Sequence, residues 1–183
     1  MSDEDYPREK SIQSPHSPSL IDNEEFLLRS AYLPDHIGPS GKLTKTNFQI
    51  TQIIEPAGDG FSVDRLSYFS QEAARKTADT FNAKHGQDNF QGFFKARTGD
   101  IRALTNEIEG EEIRSFCVID DGLVENTAHA LITPSKKFRV STTDRKEIRK
   151  ASSRLRPLRA ALIDLFAEMV TIEDIPSETT AAD

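Results

Sequence analysis

The chain is short of nearly every residue type that announces a small protein's chemistry. Of its 183 residues one, Cys117, is cysteine and none is tryptophan. A single thiol excludes an intramolecular disulfide and a cysteine-based zinc cluster. Cys117 sits in the apolar run Phe116-Cys117-Val118-Ile119. It is expected to be buried and inert, because reactive thiols occupy accessible, electropositive surroundings. No apolar run approaches the ~18–20 residues that a membrane helix requires. The opening Met1-Ser2-Asp3-Glu4-Asp5 is acidic, unlike a secretory signal or an Arg-rich transit peptide. The expectation is a cytoplasmic chain with no membrane partner. Common catalytic words are missing too: no Walker-type phosphate loop, GxGxxG, HExxH or Gly-x-Ser-x-Gly, and no zinc-ligand spacing. The four histidines, His16, His36, His85 and His129, are scattered. The sequence therefore calls for no metal and no cofactor.

Apolar residues are also scarce, at 36%. The mean hydropathy is −0.54. Polar ends diluting an ordinary core explain both. Residues 1–22 are rich in serine and proline, with Ser14-Pro15 and Ser17-Pro18 as local breakers, and read as a disordered tail. Residues 171–183 read as an acidic disordered tail. Between them, 23–170 is expected to form a single α+β domain: a mostly antiparallel sheet of about five to six strands, one mid-chain helix, and a long kinked C-terminal helix.

Local patterns place these elements. Phe26-Leu27-Leu28-Arg29 suits a strand or the end of a short helix capped by Asp22 or Asn23. Phe48, Ile50, Ile53 and Ile54 suggest a strand over 47–54. Pro56-Ala57-Gly58-Asp59-Gly60 would turn it into a second strand over 61–68, making a hairpin. Ser70 can cap a helix in which Ala74, Ala78 and Phe81 share a side and which Gly86 ends as a left-handed C-cap. Strand formers follow from Phe90, over 113–119, 127–133 and 138–141, with an acidic loop from Glu107 to Glu112. Ser141, Thr142 or Thr143 can cap a last helix with apolar positions Ile148, Ala151, Leu155, Leu158, Leu162, Leu165, Phe166 and Met169. Pro157 is expected to kink or restart it.

Charge is unevenly distributed. Lys136, Lys137, Arg139, Arg145, Lys146, Arg149, Lys150, Arg154, Arg156 and Arg159 face only Asp144 and Glu147 within 136–159, although the whole chain is −7. Three readings fit: a solvated or self-neutralised face, a docking face for an acidic protein, or one for nucleic acid. The net acidic chain and the lack of interleaved aromatics beyond Phe138 argue against general nucleic-acid binding. Arg145, Lys146, Arg149, Lys150, Arg154 and Arg156 are the candidate contacts.

A second group of residues suggests a pocket. Arg29 is embedded in an apolar run and, if buried, needs an anionic partner, for which Glu125 is one candidate. On a strand, Ser62 and Asp64 share one face and Val63 and Arg65 the other. His129, in Asn126-Thr127-Ala128-His129-Ala130, suits a general acid or base, or a structural histidine bonded to a backbone carbonyl.

Taken in order, Arg29, Thr46-Asn47-Phe48, Phe61-Ser62-Val63-Asp64 and Asn126-Thr127-Ala128-His129-Ala130 resemble a group of small bacterial domains without an assigned activity. That group carries an early arginine, a Ser/Ala-rich step before a phenylalanine, an SV-containing strand and an Asn-Pro-Ala-His word. Thr127 stands where the group has proline. The resemblance covers about 27–132 and implies family membership, without naming a catalytic residue.

Two functions follow as expectations. The first is a binding or accessory module of a bacterial cell whose basic C-terminal helix contacts an acidic protein or nucleic acid. The second is a nucleotide- or NAD-processing enzyme with a pocket around Arg29, Ser62, Asp64, Asn126 and His129. A homodimer built on the last helix is a further possibility.

Overall fold

The computed structural model describes residues 7–86 and 89–178. Six strands form one antiparallel sheet: β1 (Phe26–Tyr32), β3 (Phe61–Arg65), β4 (Phe90–Arg97), β7 (Phe116–Asp120), β8 (His129–Pro134) and β10 (Glu168–Val170). Their spatial order is β10-β4-β1-β3-β8-β7. Two short ribbons flank it, β2 (Ile54–Glu55) with β9 (Val140–Ser141) and β5 (Thr105–Ile108) with β6 (Glu111–Arg114). The helices are α1 (Gln71–His85), α2 (Thr98–Ala103) and α3 (Arg145–Leu165). This is a single-domain α+β architecture.

Phe26-Leu27-Leu28 resolves as strand because β1 lies inside the sheet and is covered on both faces. Leu27 and Ala31 join the core under α2 and α3, whereas Leu28 joins a second cluster with Phe69, Ala74 of α1, and Phe93. A fully covered strand reads as a continuous apolar run. The sheet thus lies between α2 and α3 on one face and α1 on the other.

α1 forms with the expected N-cap and buried alanines, but without the expected left-handed C-cap. Ser70 Oγ accepts the Ala73 N–H, and Ala74 and Ala78 are buried. Gly86 closes the helix at φ 105°, a positive value that favours glycine, but its ψ of 154° is extended and not that of a left-handed cap.

Residues 47–54 do not make a strand. Ile50–Ile53 is a 3-10 turn, and only Ile54 and Glu55 pair as strand, in parallel with Val140 and Ser141. Adjacent Ile53 and Ile54 would face opposite ways on a strand, yet both belong with Phe48 and Ile50 to one core cluster. Gly58 folds back on the turn so closely that a Cβ there would meet the Gln52 carbonyl oxygen at 2.3 Å. The expected hairpin is therefore replaced by a compact loop, and β3 pairs with β1 and β8. The acidic stretch at 107–112 is the tip of the β5–β6 hairpin. Glu109 (φ 54°) and Gly110 (φ 83°) supply the two positive angles of a tight primed turn.

α3 runs through Pro157 as one helix, with no fresh start. Its cap is Asp144, whose carboxylate accepts from the Lys146 and Glu147 N–H groups, and not Ser141, Thr142 or Thr143. Met169 leaves the helical face altogether: it is on β10, 53% exposed.

The expected tails also differ. From Pro7 onward the N-terminal segment lies on the domain. Glu9 ion-pairs with Arg102 and Arg114, Ser17 Oγ accepts the Gly122 N–H, and Ile21 is buried. At the other end Ile175 is buried and the Gln71 N–H donates to the Pro176 carbonyl. Polar composition concealed this docking because its partners are arginines and backbone groups. Residues 1–6 and 179–183 of the expected tails lie outside the described residues. Among the described residues no helix is long and apolar enough to cross a membrane.

Candidate functional site

Arg29, Ser62, Asp64, Asn126 and His129 line one cavity of about 450 Å³. It opens where the sheet comes apart. β1 and β3 pair only through Leu27↔Arg65 and Leu28↔Asp64. One residue further, the Arg29 guanidinium reaches across and donates to the Ser62 carbonyl. Arg29 Nε donates to Asn47 Oδ1 at 2.8 Å, and Nη2 donates to the Asn47 carbonyl. Gln52 Oε1 lies 3.4 Å from Nη2. Every one of these acceptors is neutral. Glu125, proposed from sequence as the anionic partner, is exposed and makes no such contact. Asp64 acts on Arg29 only from a distance, outside ion-pair range. Burial pulls the Arg29 pKa down to about 10, and Asp64 opposes the shift.

β3 alternates as its sequence predicts: Phe61, Val63 and Arg65 are fully buried, Ser62 is exposed and Asp64 is half-buried, with its carboxyl turned into the cavity. Asp64 is directly opposite His129 on β8. Its carboxylate accepts from Asn126 Nδ2 at 2.7 Å. Burial raises the Asp64 pKa, against the opposing effects of Asn126, His129 and Arg29. His129 Nδ1 faces two acceptors, the Asp121 carbonyl at 3.0 Å and Asp121 Oδ2 at 3.2 Å. The proton therefore resides on Nδ1, leaving Nε2 as the nitrogen free to accept or give one. The backbone-bonded histidine and the acid–base histidine of the sequence reading are compatible in this one geometry.

The opposite wall was not apparent from sequence. Tyr32 stacks on His85 at 4.1 Å between ring centres and 17° between planes, lies 3.8 Å from the His36 ring, and meets Phe81 at 5.3 Å. Lys84 completes this side. The alternation of β1 and the end of α1 bring these rings together, a long-range outcome with no local signature. Asn47 is the hinge of the polar side. Its Nδ2 donates to the Ser30 carbonyl at 2.8 Å and to His36 Nδ1 at 2.9 Å. Because Arg29 Nε fixes Asn47 Oδ1 as the acceptor, the Asn47 amide has one orientation, and His36 Nδ1 must accept. Burial first, then Arg29 and His85, lower the His36 pKa to about 4, against a raising effect of Asp35. His36 is a neutral, oriented ring.

The site can hold an anion near Arg29 and Lys84 and exchange a proton at His129 Nε2, beside a wall in which the Tyr32 ring is sandwiched between His36 and His85. Among the described residues no three His, Cys, Asp or Glu side chains gather as a metal site. Cys117 is 3% exposed, and burial, with Glu9 adding to it, pushes its thiol pKa up to about 12, so it stays protonated and apart from this chemistry.

The basic residues of α3 sit elsewhere. Ala151, Leu155, Leu158 and Leu162 bury one stripe, and Arg145, Lys146, Arg149, Lys150, Arg154 and Arg156 are exposed on the remaining arc. None of them is in an ion pair among the described residues. Arg145, Lys146, Arg149 and Lys150 frame a shallow depression with Ser153. These residues and the Arg29 cavity are two separate surfaces.

The chain was compared with protein-family models, curated proteins and solved structures, and none of them matches it.

Proposed function

We propose that this is a nucleotide-binding domain of the bacterial cytoplasm, with Arg29 as the anion-holding cation and His129 as the acid–base group. One observation carries the reading. Arg29 is a buried cation with no carboxylate in its hydrogen-bond shell, although the same protein pairs its other buried arginine, Arg65, with Glu25 and Asp120. A buried charge is normally paired. A ligand phosphate would supply the missing anion, and a base would pack along the ring wall of Tyr32, His36, Phe81 and His85 that lines the same cavity. Ser62 and Asp64 supply polar contacts at the rim. The single buried thiol suits a reducing compartment.

A panel of nucleoside mono- and diphosphates, read by thermal unfolding, tests this. A ligand at 100 times its Kd adds about 2.7 kcal/mol of stability. Stabilisation by a nucleotide in the native chain, lost in Arg29→Gln and weakened in His129→Ala, is the expected result. No stabilisation across the panel, or equal stabilisation of both variants, overturns it.

A second reading rests on α3: its exposed cations, in no ion pair among the described residues, contact an acidic partner, protein or nucleic acid. Such contacts gain affinity by releasing counterions and weaken steeply with salt. Reversing Arg145, Arg149 and Lys150 to glutamate should reduce binding to a polyanion and flatten its salt dependence. Unaltered binding removes this reading without touching the cavity.

A further inference from the structure

The cavity has a neighbour. Beside α1 a second depression of about 470 Å³ has Phe69 and Ala73 in its lining, with Glu72, Thr77 and Glu125 along it. Phe81 and Asn126 line both spaces, so the two meet between α1 and the loop before β8. Asn126 is a fixed crest. Its Nδ2 is held by Asp64 at 2.7 Å, its Oδ1 by the Ala128 N–H at 3.2 Å, and its backbone exchanges hydrogen bonds with Leu123 at 2.9 and 3.1 Å.

The chemistry changes across that crest. The first space sets Arg29 and Lys84 against one carboxylate, Asp64, whereas the second sets Glu72 and Glu125 against one cation, Lys76. Carboxylates repel phosphate but accept hydrogen bonds from sugar hydroxyls. Ala73 and Phe81, both half-buried, give the apolar surface against which a sugar or second ring can lie.

We infer that the ligand is bipartite: a pyrophosphate-linked nucleotide whose base and phosphates occupy the Arg29 cavity and whose second, hydroxyl-bearing half crosses between Phe81 and Asn126 into the α1 depression. This rests on the nucleotide reading and adds the identity of the second half. A nucleoside diphosphate would fill only the first space; a nucleotide sugar or dinucleotide fills both.

Calorimetric titration of the full chain with ADP and with ADP-ribose separates the two claims. ADP-ribose should bind at least tenfold more tightly than ADP. Thr77→Trp on α1, and independently Glu125→Trp on the exposed loop, should abolish that advantage while leaving ADP affinity within twofold, with unfolding curves confirming that each variant is folded. Equal affinities for ADP and ADP-ribose, or an advantage that survives both substitutions, overturn the bipartite ligand and leave nucleotide binding intact. Failure of ADP and ADP-ribose, together with no stabilisation by any nucleotide of the panel, overturns the nucleotide reading and this inference with it.

Discussion

Arg29 and Arg65 are both buried, but they are built for different purposes. Arg65 has Glu25 oxygens at 2.9 Å from both Nε and Nη2, Asp120 at 3.3 Å, the Ser19 carbonyl at 2.7 Å, and the Tyr68 ring 4.5 Å below. Replacing it strands two buried carboxylates. Arg65→Met should therefore cost about 3–5 kcal/mol in urea unfolding. Arg29→Gln strands neutral acceptors and retains a donor, so a smaller loss of about 1–3 kcal/mol is expected, together with the loss of ligand binding. His36 adds a pH dependence. Its folded pKa is about 4, while an unfolded histidine titrates near 6.5. Between these values the unfolded chain takes up a proton that the folded ring refuses. The stability owed to neutral His36 is thus complete above pH 6.5 and falls as pH drops toward 4. Glutamine preserves an acceptor for the Asn47 amide. Between pH 7 and 4.5 the native protein should lose about 2 kcal/mol more than His36→Gln, measured by urea unfolding at both pH values. Equal losses would show that His36 does not carry the acid sensitivity.

Elements specified by neighbouring residues follow from the sequence, and those specified by distant ones do not. Ser70 and the alanines of α1, the alternation of β3, and the apolar stripe of α3 are local patterns, and each folds as read. The 3-10 turn at Ile50–Ile53 and the β10 edge depend on what the rest of the chain leaves uncovered, so the same isoleucines and Met169 support the wrong element when read alone. The site divides the same way. Arg29, Asp64 and His129 are conspicuous as polar groups within apolar or strand-forming stretches. The Tyr32, His36, Phe81 and His85 wall joins β1 to the far end of α1, and only their packing makes it a wall. The α3 cap shows how narrow such decisions are. Four consecutive residues, Ser141 to Asp144, are all good caps by type. Asp144 wins because Ser141 pairs in β9 and the Thr142 N–H donates to the Glu55 carbonyl, holding the preceding chain extended. Asp144→Ala should then lower stability by about 1 kcal/mol, whereas Thr143→Ala should lie within about 0.5 kcal/mol of the parent protein, as read from urea midpoints.

For the whole molecule, the sheet has two edges, and they are protected differently. β10 is three residues long and carries Glu168, paired with Lys95 at 2.8 Å; a short, charged edge resists adding another strand. β7 is five residues long and buried throughout, so its outer edge needs a cover. The N-terminal segment supplies it. Glu9 Oε1 takes the Val118 N–H of β7 at 2.6 Å together with Arg102 Nε at 3.1 Å and Arg114 Nη2 at 2.6 Å. Ser14 and Ser17 hold the backbone of Gly122, and Ser19 reaches Arg65. One polar strap thereby closes the edge, neutralises two arginines and helps to fix a third. A chain beginning at residue 23 should lose all three effects at once. Its melting temperature should fall and become concentration-dependent as exposed β7 edges pair between molecules, a change that light scattering would detect. Glu9→Ala separates the contributions: it should cost about 2–3 kcal/mol by removing the carboxylate from both arginines and from the β7 N–H, yet leave the association state of the parent protein unchanged because Ser14 and Ser17 still hold the strap. A truncated chain that melts like the parent at every concentration would mean that β7 needs no cover, and that the segment rests on the fold without supporting it.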